Sequence, residues 1–130
     1  MTLPDRLEAR IGGYPGPYFA IVWNEDHLVW TARGGDFEEQ RKVCRPRARS
    51  WARFWDLLDE TGAWDWPADC GCLGMDGTTW SIEITRGDRV LRSGGVNAWP
   101  GSAGIESQET REYSRVRVGL SRLVGKKPFR

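Results

Sequence analysis

Three cysteines, Cys44, Cys70 and Cys72, and a single histidine, His27, are the residues of this 130-residue chain best suited to hold a soft metal. Together they match the ligand count of a Cys₃His zinc site, because zinc takes four nitrogen or sulfur ligands in a tetrahedron. Their spacing argues against it. Structural zinc sites are built on Cys-x₂₋₄-Cys knuckles, whereas Cys70 and Cys72 have one residue between them and Cys44 and His27 stand alone in the sequence. The reading is therefore free thiols, with no metal and no cofactor, and a redox role for Cys70 or Cys72 as the sharper alternative. An odd number of cysteines also argues against a secreted disulfide scaffold.

Carboxylates supply the second candidate. Asp56, Asp59, Glu60, Asp65, Asp69 and Asp76 fall in a stretch, Phe54 to Thr85, that holds no Lys or Arg. Such a block suits a basic partner or a cation, or else it pairs with the basic block just before it, Arg41, Lys42, Arg45, Arg47, Arg49 and Arg53. The basic block itself, with Arg115 and Arg117 in the last predicted helix, is the material for a phosphate-binding surface. Against that stands a total of 19 basic and 18 acidic residues, a net charge of +1, which is not the usual footprint of a nucleic-acid binder.

A third candidate is the loop Gly94 to Gly101. Asn97 tolerates a left-handed backbone, and Trp99-Pro100 makes a rigid apolar corner. The chain holds no G-x-S-x-G, no H-E-x-x-H and no second histidine, which removes most support for Ser-His catalysis and metal hydrolysis. Gly119 to Lys127 is not a phosphate loop, since five residues separate Gly119 from Gly125 and no Ser or Thr follows the lysines.

The elements that must position these groups follow from periodicity. Residues 1–17 are expected to be a loosely ordered N-terminal segment with a short helical turn from Pro4 to Arg10, ended by Gly12-Gly13-Tyr14-Pro15-Gly16-Pro17. Tyr18 to Trp23 and His27 to Ala32 favour a hairpin, and Gln40 to Arg45 a third strand ended by Pro46. Trp51, Phe54, Trp55 and Leu58 recur at i, i+3, i+4 and i+7, the pattern of an amphipathic helix that Ser50 can cap and Gly62 can end. Ala68 to Thr78 reads as a loop. Trp80, Ile82 and Ile84 alternate with Ser81, Glu83 and Thr85, and Gly87-Asp88 turns that strand into a return strand, Arg89 to Ser93. A last helix is predicted from about Gln108 to Val124, although Gly119 inside it costs about 1 kcal/mol against Ala.

The order βββ-α-ββ-α predicts a single α+β domain: an antiparallel sheet of about five strands with both helices packed on one face. Eight tryptophans are enough aromatic surface to build most of its core, with an exposed stacking platform as the alternative. The opening Met1 to Arg6 has no basic run followed by an apolar stretch, and no 18-residue apolar segment occurs, so a cytoplasmic location away from membranes is expected.

The run Trp51-x-x-Phe54-x-x-Leu57, Gly62-x-Trp64-x-Trp66, Asp76-Gly77-x-x-Trp80 and Gly95-x-Asn97-Ala98-x-Pro100 before a C-terminal helix resembles a group of small uncharacterised bacterial α+β proteins. The likeness spans roughly residues 50 to 125 and implies this fold without implying an activity. Cys70-Gly71-Cys72 has no counterpart in that pattern.

The functional expectation is a non-catalytic binding protein of unknown protein partner, of which an inhibitor or immunity-type protein acting on a basic target is one form. Its contacts are expected from Asp65, Asp69, Asp76, Asn97 and Trp99. The alternative is nucleic-acid binding through Arg45, Arg47, Arg49, Arg115 and Arg117, and an enzyme using the thiols or carboxylates is the third class.

Overall fold

Six segments among the described residues are strands; some alternate apolar with polar residues, and one, Tyr18 to Trp23, is apolar throughout. In the computed structural model, which describes residues 3–36, 38–74, 77–101 and 108–130, these are β1 (Arg6–Gly12), β2 (Tyr18–Asn24), β3 (His27–Arg33), β4 (Gln40–Cys44), β5 (Thr79–Arg86) and β6 (Arg89–Val96). Helix α1 (Ala48–Thr61) and a short 3₁₀ turn (Ala63–Asp65) lie between β4 and β5, and helix α2 (Arg111–Leu123) follows β6. The strands form one open antiparallel sheet in the order β4-β3-β2-β1-β5-β6.

Strand β1 corrects the reading of the N-terminal segment. Residues 6–12 are neither loose nor helical; they are a central strand, paired with β2 on one side and β5 on the other. Leu7, Ala9 and Ile11 are buried in the core between these neighbours.

The register stacks the core face into rows. Trp30, Ile21, Ala9, Ile82 and Ser93 make one row across five strands, with Leu28 and Trp23 paired on one side of the next and Leu7, Ile84 and Leu91 on the other. Trp51, Phe54, Trp55 and Leu58 of α1 and Tyr113, Val116, Leu120 and Leu123 of α2 close over them in one cluster, so both helices cover a single face. Gly119 has a reason to sit inside α2: a Cβ there would lie 2.5 Å from Leu57 Cδ2, so the glycine lets α1 and α2 approach closely.

Two helix boundaries differ from expectation. Helix α1 begins at Ala48 with Arg47 as its N-cap and no side-chain cap, so Ser50 lies inside the first turn and does not cap it. Helix α2 begins at Arg111, after Thr110, whose hydroxyl donates to the Pro100 carbonyl at 2.7 Å. The chain beyond α2 also joins the core: Phe129 is buried, and Trp30 Nε1 donates to the Pro128 carbonyl at 2.8 Å.

Every tryptophan is in or against this core. Trp30, Trp51, Trp55, Trp80 and Trp99 are buried, and Trp23, Trp64 and Trp66 pack against them. Trp51, Trp55 and Trp64 stack in series at 5.4 and 6.3 Å, and the guanidiniums of Arg86 and Arg89 lie 4.7 and 4.6 Å over Trp55 and Trp64. These ring faces are therefore occupied from within the chain, which displaces the stacking-platform alternative.

Tyr113 sits at the centre, its ring 4.6 Å from that of Trp80, with a buried hydroxyl that has no hydrogen-bond partner among the described residues. Burial also drives its ionisation far above the ordinary phenol range. Phe keeps the ring and removes the orphan group, so Tyr113→Phe is expected to stabilise the protein by about 1 kcal/mol. Urea denaturation measures it, through a raised midpoint at unchanged slope. A lowered midpoint would mean that the hydroxyl holds a partner.

Among the described residues no helix is long and apolar enough to cross a membrane.

Candidate functional site

Glycines and short polar residues in 67–78 and 94–101 leave the backbone free to pair with itself, and it does so at the β6 edge of the sheet. Cys70 N donates to the Gly94 carbonyl at 2.8 Å, Val96 N to Gly71 at 2.9 Å and Leu73 N to Val96 at 2.8 Å. The expected loop thus contains a parallel bridge, Cys72 to Val96, that extends the sheet beyond β6. Ser93 Oγ donates to the Pro67 carbonyl at 2.7 Å, and Trp80 Nε1 donates to Ala98 at 2.7 Å.

Asn97 is the centre of this arrangement. Its backbone is left-handed, with φ of 53°. Its Oδ1 accepts from Thr78 N at 2.8 Å, and its Nδ2 donates to the Leu73 carbonyl at 3.0 Å, so one side chain ties both strands of the loop together. Trp99 is 6% exposed and packs at 6.4 Å from Tyr113. Both residues hold the loop from inside, which places Trp99 in the core and not on a contact surface.

Among the predicted acidic contacts, Asp65 ends the 3₁₀ turn and Asp69 lies in the paired loop, both exposed. Asp69 Oδ1 accepts from Gly71 N at 2.8 Å, which fixes the turn and leaves the carboxylate at the surface. Asp76 lies outside the described residues. Among the described residues no ion pair joins the acidic block to the basic block that precedes it: Asp59 pairs with Arg89 at 2.7 Å and Glu60 with Arg115 at 2.8 Å. Among the described residues Asp56, Asp65 and Asp69 have no ion pair within 4 Å.

Helix α1 joins two opposite poles. Arg47 and Arg49 stand at its N-terminus, while Asp56, Asp59 and Glu60 crowd its C-terminal half, with no acidic residue in the first turn and no basic residue in the last. Both placements oppose the helix dipole, each at about 0.3–1 kcal/mol. Arg89 and Arg115 answer Asp59 and Glu60 from β6 and α2, which leaves Asp56 as the carboxylate of that half without an ion pair among the described residues.

The predicted arginines divide. Arg115 is bound to Glu60, and Arg117 is held by Glu109 through two bonds of 2.7 and 3.0 Å and by the Phe129 carbonyl at 3.1 Å. These two belong to the fold. Arg45, Arg47 and Arg49 are exposed at the β4–α1 junction, with no ion pair among the described residues. Two of the five are thus engaged within the fold and three are exposed without an ion pair among the described residues.

The thiols divide too. Cys44 is on β4 and Cys70 and Cys72 lie outside β6, six strand spacings apart across the sheet, a separation of about 29 Å at the ordinary strand spacing. One tetrahedral site cannot span that distance. Burial raises the Cys70 thiol above its ordinary pKa against the opposing hydrogen bond with Ser93, so it is a poor nucleophile at neutral pH. His27, at the β2–β3 turn, has Nδ1 2.7 Å from Asp26, and this bond holds the Asp26 carboxyl below its usual range.

A feature that the sequence reading missed lies on the other face of the sheet. Arg10, Ala20, Thr31 and Ser81 form one row across β5-β1-β2-β3, facing away from the helices. They floor a depression of about 600 Å³. Its wall includes Tyr18, whose ring lies between Gly12 and Gly34: a Cβ at either glycine would come within 2.6 or 2.9 Å of it. The signal was present in β1, where Arg6, Glu8 and Arg10 alternate with buried residues.

No protein-family model matches the chain, and a search of curated proteins finds no match to it.

Proposed function

We propose that the protein is a non-catalytic cytoplasmic binding protein that docks a basic protein surface on its acidic pole, with Asp65 and Asp69 as principal contacts. Inhibition of a basic toxin or nuclease is one form this takes. The observation that carries the reading is the pairing of exposure with rigidity: these carboxylates are free of ion pairs among the described residues, yet stand on backbone held by hydrogen bonds. Contacts on rigid elements lose little entropy on binding, and unpaired acidic groups steer a basic partner toward them.

Capture from the native host with tagged protein, followed by titration of what is retained, tests it. One stoichiometric basic protein is expected, whose affinity falls about tenfold in Asp65→Asn/Asp69→Asn and with rising salt. Asn keeps the oxygen that accepts from Gly71 N, so the loop survives the change. A partner indifferent to these substitutions overturns the acidic-pole reading. Nuclease-sensitive material, lost on replacing Arg45, Arg47 and Arg49 by Ala, would instead establish the nucleic-acid alternative, which the exposure of those three arginines supports.

A further inference from the structure

We propose that the depression on the helix-free face of the sheet binds a small organic anion, a molecule carrying a carboxylate or a phosphate, through Arg10, Arg33, Thr31 and Ser81. This site is separate from the acidic pole and stands without it.

The case starts from side-chain size. The outer face of an antiparallel sheet is ordinarily a carpet of long polar side chains in water. Here the middle positions of β2, β3 and β5 carry Ala20, Thr31 and Ser81, and the long side chains stand around them. Ala20 is on this water-facing side and is nevertheless only 7% exposed, because walls rise on each side of it. The result is a hollow of about 600 Å³, within the range of roughly 300–1,000 Å³ that small-molecule sites occupy.

The lining then selects charge. Arg33 lies on the wall with no ion pair among the described residues, and Arg10 uses one nitrogen on Glu8 at 2.8 Å. That hydrogen bond holds the Glu8 carboxyl below its ordinary pKa, so Glu8 stays ionised and keeps Arg10 in place over the floor. A guanidinium has five N–H donors, so Arg10 retains capacity for an oxyanion. The hydroxyls of Thr31 and Ser81 add neutral donors from the floor. Glu39, also on the wall, is the one carboxylate among the lining residues. It opposes highly charged ligands and favours a molecule of low total charge. The Tyr18 ring offers a flat apolar side for the body of such a molecule.

The probes are inorganic phosphate and benzoate, titrated separately into ¹⁵N-labelled protein at low salt. Saturable shifts are expected at the amides of Ala20, Thr31 and Ser81, with a dissociation constant below about 1 mM for at least one probe. Saturation by phosphate alone identifies a phosphate-bearing ligand, and saturation by benzoate alone identifies an aromatic carboxylate. Arg33→Gln is expected to weaken binding at least about tenfold, and Glu39→Gln to tighten it about two- to fivefold. Ala20→Leu fills the floor without altering charge and should abolish the shifts. A spectrum unchanged outside the depression shows that each variant folds. The proposal fails if neither probe saturates, if Arg33→Gln binds as tightly as the parent, or if the shifts gather at Arg45 to Arg49 instead.

Discussion

Trp51→Ala is expected to remove about 3–5 kcal/mol of stability, the range for deleting a large buried aromatic. Trp51 is 1% exposed and is the junction of the aromatic cluster, with ring centroids 5.5 Å from Trp23, 6.4 Å from Phe54 and 5.4 Å from Trp55. Each contact adds to the area that the ring removes from water. Since a domain of this size is stable by about 5–15 kcal/mol, the loss takes at least about a fifth of the total. The variant should therefore unfold at a much lower denaturant concentration.

The indole N–H separates packing from hydrogen bonding. Trp51 Nε1 is buried with no partner among the described residues, whereas Trp80 Nε1 donates to the Ala98 carbonyl at 2.7 Å. Trp51→Phe loses volume but also removes an unsatisfied donor; Trp80→Phe loses volume and strands a buried carbonyl. Trp80→Phe is thus expected to cost more than Trp51→Phe by about 1–3 kcal/mol. Equal losses in guanidinium denaturation would mean that the Trp51 indole is hydrogen-bonded after all.

These residues also mark what could be read in the chain. The buried stripe of α1 was legible because Trp51, Phe54, Trp55 and Leu58 repeat at helical spacing, and the hairpins of β2–β3 and β5–β6 because a turn separates two runs of strand-favouring residues. Both signals are local. Strand β1 has the same alternation, Leu7, Ala9 and Ile11 against Arg6, Glu8 and Arg10, but its link to β2 is the run Gly12-Gly13-Tyr14-Pro15-Gly16-Pro17, which reads as a break and not as a hairpin turn, and its other partner, β5, lies some seventy positions away. A polar, proline-bounded N-terminus then reads as loose chain.

Within the candidate site the same division holds. The acidic stretch was visible as composition, and Asp65 and Asp69 are exposed as that reading requires. That Asp59 and Glu60 are consumed by Arg89 and Arg115 depends on how β6 and α2 fold back, which spacing does not specify. The depression under Arg10 and Arg33 was invisible for a stronger reason: its floor comes from residues on β1, β2, β3 and β5, and only the register brings them into one row. A one-residue slip would turn Ala20 and Thr31 into the core.

Asn97→Ala is the second large loss expected, about 2–4 kcal/mol, and it comes from backbone and hydrogen bonds instead of packing. Two side-chain bonds disappear, to Thr78 N and the Leu73 carbonyl, each contributing about 1 kcal/mol and more where the stranded group stays buried. Alanine must also hold a φ of 53°, which disfavours a non-glycine residue by about 1–2 kcal/mol. Asn97→Gly loses the bonds but not the backbone preference, so it should retain about 1 kcal/mol that Ala does not. Asn97→Asp keeps the acceptor for Thr78 N and sets a carboxylate oxygen against the Leu73 carbonyl, so it should not restore the parent stability. The order parent, Gly, Ala in urea denaturation, with faster hydrogen exchange at Thr78 N in both variants, is the expected result. Unchanged exchange at Thr78 would sink the idea that Asn97 ties the loop. Because the same loop carries Asp69, loosening it should also weaken a partner at the acidic pole while leaving the salt dependence of that binding as it was, since no charge has been removed.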